Sequence, residues 1–361
     1  MDIPPQRPAQ AFKGRGAASN PEGRFESIRH HAEDDGWTPP EDPSRPRTEV
    51  RDERARTVIS RNDSPDIGFD QALNPYRGCE HGCVYCFARP SHAYLNLSPG
   101  LDFETRLFAK GNAAAVLRAE LARPGYRCSP INIGSNTDPY QPIEKTHRLT
   151  RGVLEVLAAC RHPCTIVTKN AMVERDIDLL QDLARDGLVQ VFVSCASLDN
   201  RLAATLEPRA SAPHRRLRAV RTLADAGIPV GVLVAPIIPA LSDKDMEHVI
   251  EAAAAAGARS AGYTVVRLPH ELNALFREWL ELHAPQRAAH VMSVLNQMHG
   301  GRDYDATFGR RMKGRGPFAE LLRRRFDVAC RRHGLARARE LQLDTAQFVP
   351  PRPASPQGDL F

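Results

Sequence analysis

Three of the chain's eight cysteines, Cys79, Cys83 and Cys86, fall within eight residues on a glycine-containing loop. Thiolates spaced x3 then x2 can converge on one soft metal centre. Iron–sulfur clusters are normally held by four cysteines. Three ligands leave one iron open, by the same logic that keeps one position free on a catalytic zinc. An open iron can chelate an amino and a carboxylate group and pass an electron to the molecule that carries them. The competing readings are a four-cysteine cluster and a zinc knuckle completed by His81 or His92, although no second Cys-x2-Cys pair lies nearby. The other cysteines, Cys128, Cys160, Cys164, Cys195 and Cys330, are scattered and read first as small buried hydrophobes.

A loop of this kind needs a scaffold. Short β-branched runs occur at 131–134, 164–168, 189–195, 229–234 and 261–266. Between them lie Ala/Leu/Arg-rich stretches with helical spacing, at about 111–122, 147–161, 173–186, 212–226 and 243–256. Gly187, Gly227 and Gly257 end three of these helices, and Pro163 lies just beyond another. With the segment before Cys79 as first strand, the alternation gives six βα units. Such alternation predicts an α/β fold with a parallel sheet and right-handed crossovers. Six units are too few for a closed eightfold barrel, and a partial barrel or an open doubly wound sheet both fit. In either, ligands belong at the C-terminal ends of the strands.

The flanks differ from this core, 61–285. Residues 1–60 are polar and proline-punctuated and predict an extended, mostly disordered N-terminal arm. Residues 286–345 predict a basic helical C-terminal extension, and 346–361 a disordered Pro-rich tail. The formal charge of +6 is uneven: 286–361 holds fourteen Lys and Arg against seven Asp and Glu, while 61–285 balances. That excess suits a polyanion such as nucleic acid; a solvated basic helix is the plainer reading. No apolar run reaches the length of a membrane span, and the start lacks a secretory apolar core. The expected location is the cytoplasm, without a membrane partner.

Cys79-x3-Cys83-x2-Cys86, with Tyr85 before the third cysteine, resembles the signature of the radical S-adenosylmethionine (SAM) superfamily. Further stretches, Asn74-Pro-Tyr-Arg-Gly-Cys79, Cys83-Val-Tyr-Cys-Phe-Ala-Arg89, Thr137-Asp-Pro-Tyr-Gln-Pro-Ile-Glu144, Thr168-Lys169 and Ser194 to Asp199, resemble its spore photoproduct lyase-like (DNA repair photolyase-like) branch. The resemblance implies a partial (β/α)6 barrel, a [4Fe–4S] cluster on Cys79, Cys83 and Cys86, and reductive cleavage of SAM to a 5′-deoxyadenosyl radical. It places Tyr85 against the SAM adenine, Ser135 and Asp138 near the methionyl amine, and Lys169 and Ser194 near the carboxylate. It also implies an electron donor such as flavodoxin or ferredoxin. The branch's lyase uses a hydrogen-donating cysteine near the second-strand turn, where this chain carries Ser135; Cys195 is the nearest substitute. The expected reaction is hydrogen abstraction from nucleic acid, as a repair lyase or a base-modifying enzyme. Radical modification of RNA or of a protein side chain is an alternative, as is a non-catalytic cluster or zinc DNA-binding module.

The last residues add one partner. Gln357, Leu360 and Phe361 resemble the short peptide with which bacterial repair proteins and polymerases bind the sliding clamp, carried on a proline-rich spacer.

Overall fold

The computed structural model describes residues 11–26, 46–338 and 342–352. In chain order its strands are β1 (Glu49–Asp52), β2 (Ile59–Arg61), β3 (Gln71–Leu73), β4 (Tyr76–Arg77), β5 (Arg106–Ala109), β6 (Ile131–Ile133), β7 (Cys164–Thr168), β8 (Val189–Ser194), β9 (Val230–Ile237), β10 (Ser260–Val265) and β11 (Ala336–Arg337). The main sheet runs β11-β10-β9-β8-β7-β6-β3-β2. β3 and β6 to β10 are parallel neighbours, the six strands expected from the βα alternation. β2 adds antiparallel at one edge and β11 parallel at the other. This is a partial (β/α)6 barrel, the first of the two architectures that the periodicity allowed. β1, β5 and β4 form a separate small sheet.

Alternation along each strand divides the side chains between helices and lumen. On β8, Val189, Val191 and Val193 are buried, while Gln190, Phe192 and Ser194 line the lumen. Helices cover the outer face with apolar stripes: Leu149–Ala159 buries Val153, Leu154, Val156 and Leu157, and Pro213–Asp225 buries Ala219, Val220 and Leu223. Inside, Asn132, Thr165 and Gln190 stand in register across β6, β7 and β8. Asn132 Nδ2 donates to Thr165 Oγ1 at 2.8 Å, and Gln190 Nε2 to Ser260 Oγ at 3.1 Å. Gly231 on β9 faces Phe192 and Ser260. A Cβ there would lie 2.5 Å from Ser260 Oγ and 2.8 Å from the Phe192 ring, so the lumen admits that ring only beside a glycine.

The flanks are anchored wherever they are described. The extended N-terminal arm contributes β1 and β2 to the two sheets, and residues 14–26 cross the cysteine loop. The Pro-rich tail begins docked, a correction to the free tail expected from residue 346. Phe348 packs on the rings of His162 and Tyr126 at 5.1 and 5.5 Å, and Val349 N–H donates to Cys160 O at 2.9 Å. An aromatic side chain gains from leaving water, which holds this stretch against the barrel. Gln357, Leu360 and Phe361 lie outside the described residues. The basic extension includes the helices Pro285–Met298 and Gly316–Arg332.

Candidate active site

The cysteine loop leaves β4 and passes over the C-terminal ends of the barrel strands. Cys79 and Cys83 are buried and Cys86 half-buried, all three are free thiols, and all line one cavity of about 1790 Å³. Burial pushes the Cys83 thiol up to about 12, and it raises Cys79 well above the ordinary thiol value with help from the nearby Asp138 carboxylate. Without a ligand these groups are therefore protonated, and loading a metal centre must displace protons.

The loop's shape is imposed by one side chain. Arg89, wholly buried, donates from Nε to Cys83 O at 2.8 Å and from Nη2 to Gly82 O at 3.1 Å. Its Nη1 reaches Gly100 O at 2.8 Å and Pro99 O at 3.1 Å, and the guanidinium closes on the Glu104 carboxylate. Glu104 in turn accepts from Gly16 N at 3.0 Å and Ala17 N at 2.9 Å, so the arm is strapped over the loop. Glu80, within the cysteine loop, takes Gln141 Oε1 on its N–H at 2.8 Å and pairs with Arg209.

The expected SAM-binding residues gather around the same cavity, with different amounts of freedom. Ser135 lines it, and its Oγ accepts from Asn74 Nδ2 at 3.0 Å. Asp138 is heavily used by the protein: it accepts from Thr168 Oγ1 at 2.7 Å, Lys169 N at 2.7 Å and Tyr140 N at 2.9 Å. Burial works to raise its carboxyl, but His81, Lys169 and Thr168 outweigh that and hold it near 2. Asp138 thus ties the β6 loop to the end of β7. Lys169 is half-buried, with Nζ 5.9 Å from the centre of the Tyr85 ring. Burial acts to lower its ammonium, and the acidic groups around it, Cys83 and Glu207 foremost, raise it overall. The Tyr85 hydroxyl donates to Glu207, which is paired with buried Arg216. Arg216 Nη1 continues to Ser194 O at 2.9 Å, so the β8 end joins this network. Tyr85 and Ser194 both line the cavity.

Two expectations fare differently. Cys195, the suggested hydrogen donor, does not line the cavity: it is buried, its thiol lies 3.4 Å from Ser197 O, and burial pushes it up to about 11. Of the histidines offered for zinc, His92 Nε2 meets Arg106 O at 2.9 Å, and His81, which lines the cavity, meets Asn170 Nδ2 at 3.2 Å through Nε2 and Asp138 Oδ2 at 3.3 Å through Nδ1. Among the described residues, no three His, Cys, Asp or Glu side chains are gathered as a single-ion site. Three soft thiols beside an ammonium suit an iron–sulfur cluster, which is larger than one ion.

Part of the cavity lining is rich in cations, with the carboxylates of Asp66, Glu320 and Asp327 among them. Arg267, Arg311, Lys313, Arg315, Arg323 and Arg337 stand there, drawn from the end of β10 and from the C-terminal extension. Several are already neutralised, Arg311 by Asp66 at 2.6 Å and Arg323 by Glu320. Sequence reading found the cysteines and the strand ends but missed Arg89, Glu104, Glu207, Arg216 and Arg267. Arg89 stands three residues after Cys86, within the Cys83–Arg89 motif, yet its partners are 6 to 15 residues away at spacings that follow no period.

Comparison with known proteins agrees with this architecture. The chain belongs to the radical SAM superfamily, whose model matches residues 73–253. This is an enzyme family that uses a [4Fe–4S] cluster and SAM. An uncharacterized protein of Mycobacterium tuberculosis is 39% identical over 222 residues, 61% of this chain and 65% of that protein. Another, from Methanocaldococcus jannaschii, is 28% identical over 183 residues, 51% of this chain and 65% of the relative. The chain thus spans just under two thirds of the length of the curated relatives it matches. A structure of spore photoproduct lyase with bound AdoMet and dinucleoside spore photoproduct superimposes with a TM-score of 0.56 at 17% identity, covering 81% of this chain and 82% of that one. At that identity the likeness is one of fold. No helix among the described residues is long and apolar enough to cross a membrane.

Proposed function

We propose that this chain is a radical SAM enzyme whose substrate is nucleic acid. The observation that carries the proposal is one cavity lined both by the three thiols and by a group of cations. Cys79, Cys83 and Cys86 hold the cluster through their thiolates. When bound, the cluster supplies an electron to the sulfonium of SAM, which yields a 5′-deoxyadenosyl radical. The chain's own part is positioning and electrostatics. Lys169 presents a point charge to the SAM carboxylate. Ser135 and Ser194 offer hydroxyls to its polar head, while Tyr85, fixed by Glu207, gives an aromatic wall for the adenine. Asp138 acts indirectly, by fixing the loop that carries Ser135. The cavity's cations meet phosphate. The dinucleoside spore photoproduct bound to spore photoproduct lyase supports a nucleic-acid substrate.

Anaerobic reconstitution tests this reading. The loaded protein, given dithionite and SAM, should release 5′-deoxyadenosine. It should also bind DNA or RNA with an affinity that falls steeply with salt, by about 0.7–0.9 log units per log salt for each phosphate neutralised. Absence of 5′-deoxyadenosine removes the enzyme reading. Absence of any nucleic-acid binding at low salt removes the substrate class.

A further inference from the structure

Arg267 stands apart from the other cations of the cavity lining. It follows β10 and is half-buried in the cavity lining. Among the described residues its guanidinium has neither a carboxylate nor a carbonyl partner. Asp66, the acid in its neighbourhood, is already taken by Arg311 Nε at 2.6 Å and Gly309 N at 2.6 Å. Arg267 instead lies 4.1 Å from the centre of the Phe87 ring. Phe87 directly follows Cys86, the least buried of the three cysteines, and is 45% exposed. An arginine withdrawn from water without an anion is unfavourable. Phe87 lines the same cavity, and at that exposure part of its ring stays open there beside the guanidinium. Side by side, the two offer what single-stranded nucleic acid presents in alternation, a phosphate and a base face.

We propose that Arg267 and Phe87 form the substrate anchor of this enzyme, Arg267 gripping one phosphate of a single-stranded or flipped-out nucleotide while its base stacks on Phe87 beside the cluster. The proposal rests on the nucleic-acid reading above and narrows it. It assigns the decisive contact to one cavity arginine rather than to the exposed arginines of the helix Gly316–Arg332. Burial lowers the Arg267 guanidinium from its ordinary value, the direction expected where an anion is missing. Two adjacent nucleotide units are the natural length, because the guanidinium and the ring are in direct contact.

The test is binding of a fluorescent ten-residue oligothymidylate to the cluster-loaded protein, titrated at several salt concentrations. Arg267→Gln should weaken binding roughly ten- to hundredfold and reduce the salt slope by about 0.7, the share of one phosphate on a single strand. Arg267→Lys should keep the slope and recover part of the affinity, since a point charge replaces a fork. Phe87→Ala should weaken binding about tenfold with the slope unchanged. If Arg267→Gln matches the wild type in affinity and slope, the anchor is wrong while the nucleic-acid reading stands. The same holds if it alters only the cluster absorbance, which makes Arg267 a counter-charge to the cluster. If the wild type itself binds neither DNA nor RNA, the wider reading fails and takes the anchor with it.

Discussion

Arg89 and Glu104 form an ion pair in which neither side chain keeps any exposure to solvent. Through it the cysteine loop is fastened to the N-terminal arm, because the same carboxylate accepts the amides of Gly16 and Ala17. Every donor direction of Arg89 is used on the loop or its neighbours, so the pair sets where Cys83 stands before any cluster arrives.

Removing the arginine should therefore be severe. Arg89→Met leaves a buried carboxylate without its counter-charge and takes a donor from each of four carbonyls. The expected loss is about 3–5 kcal/mol, read as a lowered denaturant midpoint of the cluster-free protein. Iron uptake during reconstitution should fall with it. A midpoint equal to the wild type's would show that the pair contributes nothing.

The three cysteines predict a different pattern. Cys79→Ala, Cys83→Ala and Cys86→Ala should each abolish the broad visible absorbance of the cluster and SAM cleavage. The far-ultraviolet circular dichroism should stay close to wild type, since the loop lies at the barrel mouth. A variant that keeps the full cluster and its turnover would refute the ligand assignment.

Gly16 tests the strap. A Cβ there would sit 1.8 Å from Gly82 O, and backbone cannot swing aside as a flexible side chain would. Gly16→Ala should cost about 1–3 kcal/mol through overpacking and lift the arm. Trypsin should then cut at Arg15 and Arg24 faster than in the wild type. Unchanged cleavage would mean that the strap is already loose in solution.

His162 gives the pH dependence. Burial pulls its imidazole down to about 4, against an ordinary value of 6.5. The native state resists protonation, while the unfolded chain takes a proton as pH falls below 6.5. Its contribution is thus fully present above that value and is lost between pH 6.5 and 4. The shift corresponds to about 3 kcal/mol. His162→Phe should flatten that part of the stability–pH curve, measured by urea unfolding. An equal slope in both proteins would place the pH sensitivity elsewhere.

Much of the scaffold was legible because it repeats. The runs at 164–168 and 189–195 became Cys164–Thr168 and Val189–Ser194, and the helices at 212–226 and 243–256 became Pro213–Asp225 and Met246–Ala255. Period-two and period-3.6 patterns record which face is buried, and burial is what built those elements. The cysteines were legible because their spacing is local. The Glu104 contacts of Gly16 and Ala17 join residues almost ninety positions apart in sequence and leave no periodic trace. Arg267 was hidden for a related reason: its meaning lies in the partners that Asp66 does not give it. The docked Phe348 was misjudged because proline content says how a segment extends, not what it lies on.

Gly231 carries a consequence for ancestry. The width of the lumen beside Phe192 depends on one absent side chain, and every glycine codon is one base change from alanine. A single mutational step to alanine would therefore force the Phe192 ring aside and reshape the chamber, with the cysteine loop unchanged in sequence. The shape of the lumen and the spacing of the three cysteines are, in this chain, separately heritable traits.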